Sequence, residues 1–416
     1  MTDQYKEYAL KQDQDDPLGR YRSEFLIPRV NGKDSIYFCG NSLGLQPKTA
    51  RQETEKVFAN WENLAVEGHF EGDDPWTLYH KKFRDPLSRI VGAKPEEVVV
   101  MNNLTVNLHL GMVSFYQPTA EKYKVIMEGH AFPSDQYAVE SQVKLHGYDP
   151  DDAIIEIMPK EGTELLATAD IIKTIEDNAQ SAALLLLGGL QYYTGQVFEM
   201  ERICAAAKRC GVRIGLDLAH AAGNVPVHLH EWGADFAVWC SYKYMNSGPG
   251  AVSGMFIHEK HHQTEVPRLA GWWGHDEGER FLMEKGFKPI PNADGWQLSN
   301  SSILNMASHY ASLKLFDEVG MEALRKKSLL LTAYLEELMD QFDFIKLITP
   351  SDPVQRGCQL SLYFEKDGKE IFRFIQEHGV IADWREPNVI RIAPVPFYNT
   401  FMDVYNFYQI IKSYNA

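Results

Sequence analysis

Between residues 95 and 260 the chain alternates short apolar runs with longer stretches of helical periodicity. Residues 98–101, 124–127, 183–187, 212–216 and 236–240 are mostly apolar and short enough to be strands buried on both faces. Residues 106–115, 171–178 and 200–210 between them repeat their apolar positions at helical spacing. Strand and helix in alternation predict an α/β architecture, a mostly parallel central sheet with helices on both faces. Ligands of such sheets bind beyond the carboxyl ends of the strands, so reactive side chains are expected just after each run.

The pattern changes after residue 300. A long helical stretch, 302–342, is broken near Gly320. Residues 359–364 alternate as a strand, 369–378 are helical, 380–385 and 389–393 read as two strands joined by a Glu-Pro-Asn turn, and 401–413 form an amphipathic helix. This is a smaller α+β domain. A chain of 416 residues has the length of two domains. The expected division is 46–300 for the large domain, with 1–45 and 301–416 forming the small domain and linking helices.

Composition narrows the function classes. The formal net charge, 41 − 57 = −16, argues against a nucleic-acid partner, which needs clustered Lys and Arg. The longest apolar run, 182–190, spans nine residues, whereas a membrane span needs about 20. The polar, acidic first 16 residues lack the apolar stretch of a signal peptide. Five cysteines, an odd number without a C-x-x-C pair, predict a reduced, cytoplasmic protein. No metal is expected: there is no H-E-x-x-H, and His228, His230, His261 and His262 show no companion ligands in the sequence.

The most informative segment is WCSYKYMNSGPG, 239–250, where a buried strand ends on Ser241, Tyr242 and Lys243. Burying an unpaired ammonium is costly, and a covalent carbonyl partner removes the cost. One crossover upstream, VRIGLDLAHAAGN ends an apolar strand on Asp217, with His220 three residues on. A buried carboxylate there suits a protonated pyridine nitrogen. Asp217 equally suits a helix N-cap, and His220 a hydrogen-bonded core histidine. After the strand at 98–101, Leu104 and Thr105 open a helix whose N–H groups and hydroxyl could take a phosphate. The segment HAFPSD follows the next strand, with Phe132 placed to stack on a flat ring and Asp135 to bond it.

These segments together resemble the kynureninase family of fold type I pyridoxal-phosphate enzymes, the aspartate aminotransferase-like fold. The similarity runs from FCGNSLGLQP (38–47) through NLTVNLHL, AFPSDQYA, QYYTGQV, DLAHAAGN, CSYKYMN, GWWGH and LSNSS to REPNVIRIAPVPFYNTF (385–401), nearly the whole chain. The resemblance implies hydrolytic Cβ–Cγ cleavage of L-kynurenine or its 3-hydroxy form to alanine and an anthranilate, within tryptophan catabolism and NAD biosynthesis. It implies Lys243 as the Schiff-base lysine, and Leu104, Thr105, Phe132, Pro133, Ser134, Asp135, Asp217, His220 and Tyr242 as cofactor ligands. Tyr242 is also the implied proton donor. Trp272 and Asn300 are implied to complete the site from the other subunit of a homodimer. Arg391 is the implied fork for the substrate carboxylate. His69, Ser42, Asn300 and Trp272 are the implied contacts to the aryl end, His69 and Asn300 matching the branch that favours the hydroxylated ring. One position departs from the family pattern: Gly188 stands where Ser or Thr is usual. Two alternatives remain open. One is a cysteine desulfurase-like lyase, for which Cys358 is the small-domain candidate nucleophile; the other is a non-catalytic cofactor-binding regulator.

Overall fold

The computed structural model describes residues 3–414. Its main sheet has seven strands: β1 (Val98–Val100), β2 (Lys124–Glu128), β3 (Ile154–Ile157), β4 (Ala182–Gly188), β5 (Arg213–Asp217), β6 (Phe236–Trp239) and β7 (Gly254–Ile257). They lie in the order β1-β7-β6-β5-β4-β2-β3. Only β7 runs antiparallel to its neighbours. The five apolar runs of the sequence all become strands of this sheet. β3 escapes that criterion because it is an edge strand whose Glu156 faces solvent.

Alternation along the strands divides the interior into two layers. Val98, Val100, Ile126, Leu185, Leu187, Ile214 and Leu216 face helices Thr168–Asp177, Met200–Arg209 and Ile303–Val319 through Ile171, Ile203 and Phe316. Val99, Val125, Met127, Leu184, Leu186 and Val238 face the other way. Their layer includes Leu108 and Met112 of α1 (Leu104–Phe115) and Val139 and Val143 of α2 (Pro133–Leu145). Both of these helices follow directly on strands, so each directs its N-terminus at the carboxyl edge of the sheet.

A second sheet carries β8 (Ile345–Leu347), β9 (Leu360–Phe364), β10 (Asp383–Arg385) and β11 (Val389–Ile392) in the order β8-β9-β11-β10, all antiparallel. Helices Met321–Met339, Gly368–Glu377 and Phe401–Tyr414 share its core. The stretch 380–385 is not one strand. Val380–Ile381 pairs in parallel with Ile36–Tyr37, and only 383–385 pairs with β11, because the two halves serve different partners. The N-terminal segment reaches both cores: Ala9 and Phe38 pack beside the second sheet, Leu18, Tyr21, Phe25 and Leu45 beneath the first. Among the described residues no helix is long and apolar enough to cross a membrane.

Phe236 ties the first sheet to α1. It stacks on Phe115 at 5.4 Å between ring centroids, and a Cβ added at Gly111 of α1 or Gly215 of β5 would collide with its ring. Gly to Ala inside a helix ordinarily stabilises by about 1 kcal/mol. Gly111→Ala should instead lower the unfolding midpoint in a denaturant titration, and a raised midpoint would show that Phe236 does not occupy this place.

Candidate active site

Five strand ends of the first sheet converge on one pocket lined by Leu104, Thr105, Glu128, Phe132, Ser134, Asp135, Gly188, Leu190, Tyr192, Asp217, Ala219, His220, Tyr242 and Lys243. Ten of these are residues singled out in the sequence, Gly188 among them. Pro133 sits between Phe132 and Ser134 as the first residue of α2, where a missing N–H costs nothing.

Lys243 follows β6 in a turn held against the N-terminal GNSLG segment. Gly44 N–H donates to Tyr242 O at 2.8 Å, and any side chain at 44 would strike Lys243 O and Asn246. The lysine Nζ stands 2.9 Å from His220 Nε2 and 5.7 Å from the centre of the Phe132 ring. Burial, and then the charge of Lys243, hold His220 well below the usual histidine range. It is therefore neutral and accepts from the Lys243 amino group, while its buried Nδ1 has no partner among the described residues. Burial raises the half-buried Tyr242 phenol, so it keeps its proton at neutral pH.

The floor is acidic. Asp217 ends β5, beside Gly188 of β4, and its Oδ1 accepts from Ala219 N–H at 2.7 Å. Burial raises its carboxyl. Asp135 faces it from the first turn of α2. Burial and the Asp217 charge push Asp135 well above the carboxylate range, and its Oδ1 has no partner. Glu128, at the end of β2, is the third carboxyl, and its Oε2 accepts from Gly188 N–H at 3.0 Å. The sequence reading missed Glu128 and Tyr192, although both stand where the strand-end rule directs attention. At Gly188 a Cβ would lie 3.4 Å from both Glu128 oxygens, so a carboxyl group borders the space that any side chain at 188 would take.

Opposite this floor stand the N-termini of α1 and α2. Thr105 Oγ1 and Ser134 Oγ share a hydrogen bond of 2.7 Å, joining the two helix starts. Asn103 caps α1 by accepting from Val106 N–H, which leaves the Leu104 and Thr105 N–H groups at the opening. Two helix N-termini with two hydroxyls make an anion cradle. The pocket thus offers an anion site, an excess of buried acid over base, an exposed flat ring at Phe132 and a primary amine. Pyridoxal phosphate fits each of these: its phosphate would meet the cradle, its protonated ring nitrogen the acid and its aldehyde the lysine.

Arg391 is not among the residues that line this pocket; it is joined to it through Tyr192, which is. It is fully buried on β11, directly across from Asp383 of β10. Its Nε and Nη2 hold the two Asp383 oxygens, each at 2.9 Å, and Nη1 donates to Tyr192 O at 2.8 Å. The guanidinium is thereby fixed in place by Asp383 and the Tyr192 carbonyl.

Ser42, His69, Trp272 and Asn300 do not line the pocket within this chain. His69 packs edge-on to Trp76 at 5.1 Å, and Trp272 packs on Phe281, which also meets Phe70. Asn300 is exposed and Ser42 half-buried. Cys358 is fully buried, its N–H donates to Asn224 Oδ1, and burial pushes its thiol up to about 12, the opposite of an activated nucleophile. His230 does gain companions: Glu97 and His258 lie beside it. Glu97 is already engaged there by His230 Nδ1 and by the N–H groups of Lys94 and Glu259.

Comparison with known proteins assigns the family. The model of the kynureninase C-terminal domain matches residues 324–411. A kynureninase of Christiangramia forsetii is 55% identical over 413 residues, covering 98% of this chain and 97% of the relative. Kynureninases of Flavobacterium psychrophilum (53%, 98% and 97% covered) and Xanthomonas campestris pv. campestris (50%, 100% of each) follow the same course. Among solved structures, an apo cysteine desulfurase of Thermococcus onnurineus superposes with TM-score 0.76 at 17% identity, over 91% of this chain and 94% of that one. A cysteine desulfurase of Escherichia coli gives 0.77 at 14%, over 95% and 98%. At such identities these two structures establish the shared fold alone. The full-length identity to the three relatives carries more: the chain belongs to the kynureninase family.

Proposed function

We propose that this protein is a kynureninase, a pyridoxal-phosphate-dependent hydrolase that cleaves the Cβ–Cγ bond of L-kynurenine or 3-hydroxy-L-kynurenine to give L-alanine and the anthranilate. The observation that carries the reading is the meeting of Lys243, the Asp217 carboxyl and two helix N-termini in one pocket, in a chain so similar to named kynureninases. When bound, the cofactor supplies an aldehyde for amine capture and a ring that withdraws electrons from the substrate Cα.

The chain's own groups do the rest. Leu104, Thr105 and Ser134 hold the phosphate, and Phe132 covers the ring. Asp217, backed by Asp135, keeps the ring nitrogen protonated. His220 steers the Lys243 amine, which removes the Cα proton and can return it. Tyr242 donates a proton to the alanyl carbon as the aryl fragment leaves. Arg391 meets the substrate carboxylate, held in place by Asp383 and Tyr192 O. The desulfurase alternative needs a mobile activated thiol, and Cys358 is neither. The pyridoxal-binding unit would comprise 46–300, with 1–45 and 301–416 closing over it, in a cytoplasmic setting.

The working form in this proposal is a homodimer with composite sites. Support comes from an exposed aromatic cluster, Phe70, Phe281 and Trp272, whose rings pack on one another while each stays between 46% and 57% exposed. Trp272 and Asn300 on one protomer would then complete the site of the other. His69 and Ser42 would contact the aryl ring, His69 reading its hydroxyl.

Two outcomes test this reading. Borohydride treatment of the loaded protein should fix cofactor mass on the peptide containing Lys243; Lys243→Ala should fold, lose that adduct and lose kynurenine cleavage. Reduced cofactor found on another lysine would overturn the assignment. Separately, mixing inactive Lys243→Ala with inactive Asn300→Ala should restore part of the activity through hybrid dimers. No recovery after proven subunit exchange would refute the composite site.

A further inference from the structure

We propose that Glu128 belongs to the cofactor-binding floor: Gly188 anchors one of its oxygens and leaves the other open to the pocket, from which the carboxylic acid donates a hydrogen bond to the anionic ring oxygen of bound pyridoxal phosphate. The inference rests on the function proposed above and deepens it.

The placement follows from the sheet. β5, β4 and β2 are adjacent, and Asp217, Gly188 and Glu128 end them in a row. Gly188 N–H holds Oε2 at 3.0 Å, Oε1 has no hydrogen-bond partner among the described residues, and Glu128 lines the cavity. A Cβ built at Gly188 would lie 3.4 Å from each Glu128 oxygen, so the missing side chain leaves the carboxyl uncovered by residue 188. A ring whose nitrogen sits on Asp217 has one other ionised edge group, its phenolic oxygen, which needs donors. Gly188 has no side-chain donor on this side of the floor. A protonated Glu128 fills the gap.

Protonation is what the surroundings favour. Burial, reinforced by the Asp217 charge and only partly offset by the Gly188 N–H, pushes Glu128 up to about 7. The groups facing it across the pocket are Asp217 on β5, Asp135 on α2, and His220, Tyr242 and Lys243 from the loops after β5 and β6. A group whose pKa is raised holds its proton below that value and loses it above. The donated hydrogen bond is therefore present on the acid side and is lost only above the ligand-free value of about 7, because an anionic acceptor holds the proton more tightly still.

The test reads cofactor binding rather than turnover. Apo protein is titrated with pyridoxal phosphate, following protein fluorescence, and the visible absorption of the loaded protein is followed from pH 6 to 8.5. Glu128→Leu should weaken cofactor binding about tenfold, the cost of one lost hydrogen bond to a charged acceptor. Gly188→Ser in the Leu background should recover part of that loss by supplying a hydroxyl. Glu128→Gln keeps a donor and cannot titrate, so it should bind within about threefold of wild type and lose the absorption change above neutrality. Should the Leu variant fail to fold, the Gln variant's spectrum decides. Wild-type affinity in Glu128→Leu, or an unchanged pH profile in Glu128→Gln, would overturn the role of Glu128. Failure of the wild-type protein to bind the cofactor would instead overturn the function itself.

Discussion

The interaction on which the site depends is that between the buried Asp217 carboxyl and whatever cation stands over it. Three carboxyls, Glu128, Asp135 and Asp217, share one pocket with one ammonium, that of Lys243. Burial raises all three. Such a floor is poorly matched to itself and well matched to a ligand that brings a protonated ring nitrogen. Under the proposed function the cofactor supplies that charge, and the carboxyl that stabilises it is the one whose field makes the ring an electron sink.

The fold serves this arrangement by lining up strand ends. Parallel neighbours place Gly188 beside Asp217 in register, and each crossover delivers either a helix N-terminus or a reactive loop to the same edge. The second sheet contributes through the QYYTG loop. Tyr192 O is held by both Arg391 and Gln359, Tyr193 O by Ser361, and Thr194 O by Thr349. The Tyr192 ring in turn meets Phe132 edge-on at 5.3 Å. A carboxylate drawn to Arg391 is thus one residue away from the ring proposed to cover the cofactor.

Much of this was legible in the sequence, for physical reasons. Buried parallel strands are apolar on both faces, so their ends are easy to find and a Lys or Asp at such an end stands out. Lys243 and Asp217 are legible this way. Glu128 is not, because a carboxylate extending an apolar run reads as the start of a loop, and its contact with Gly188 belongs to the neighbouring strand. The Asp383 partner of Arg391 depends on antiparallel register, and the division of 380–385 depends on Ile36–Tyr37 far away in the chain. Nothing local reports either. Trp272, Asn300, His69 and Ser42 lie outside the pocket lining of their own chain, and Trp272 and Asn300 reach a site only in the proposed dimer.

The central claim is that Asp217 keeps the cofactor ring nitrogen protonated. Nitrogen NMR of the protein loaded with ring-15N pyridoxal phosphate measures this directly. The account predicts a pyridinium shift in wild type at neutral pH. In a folded Asp217→Ala protein it predicts an unprotonated shift, with kynurenine cleavage reduced by several orders of magnitude. An unprotonated nitrogen in wild type, or near-normal turnover in Asp217→Ala, would contradict it.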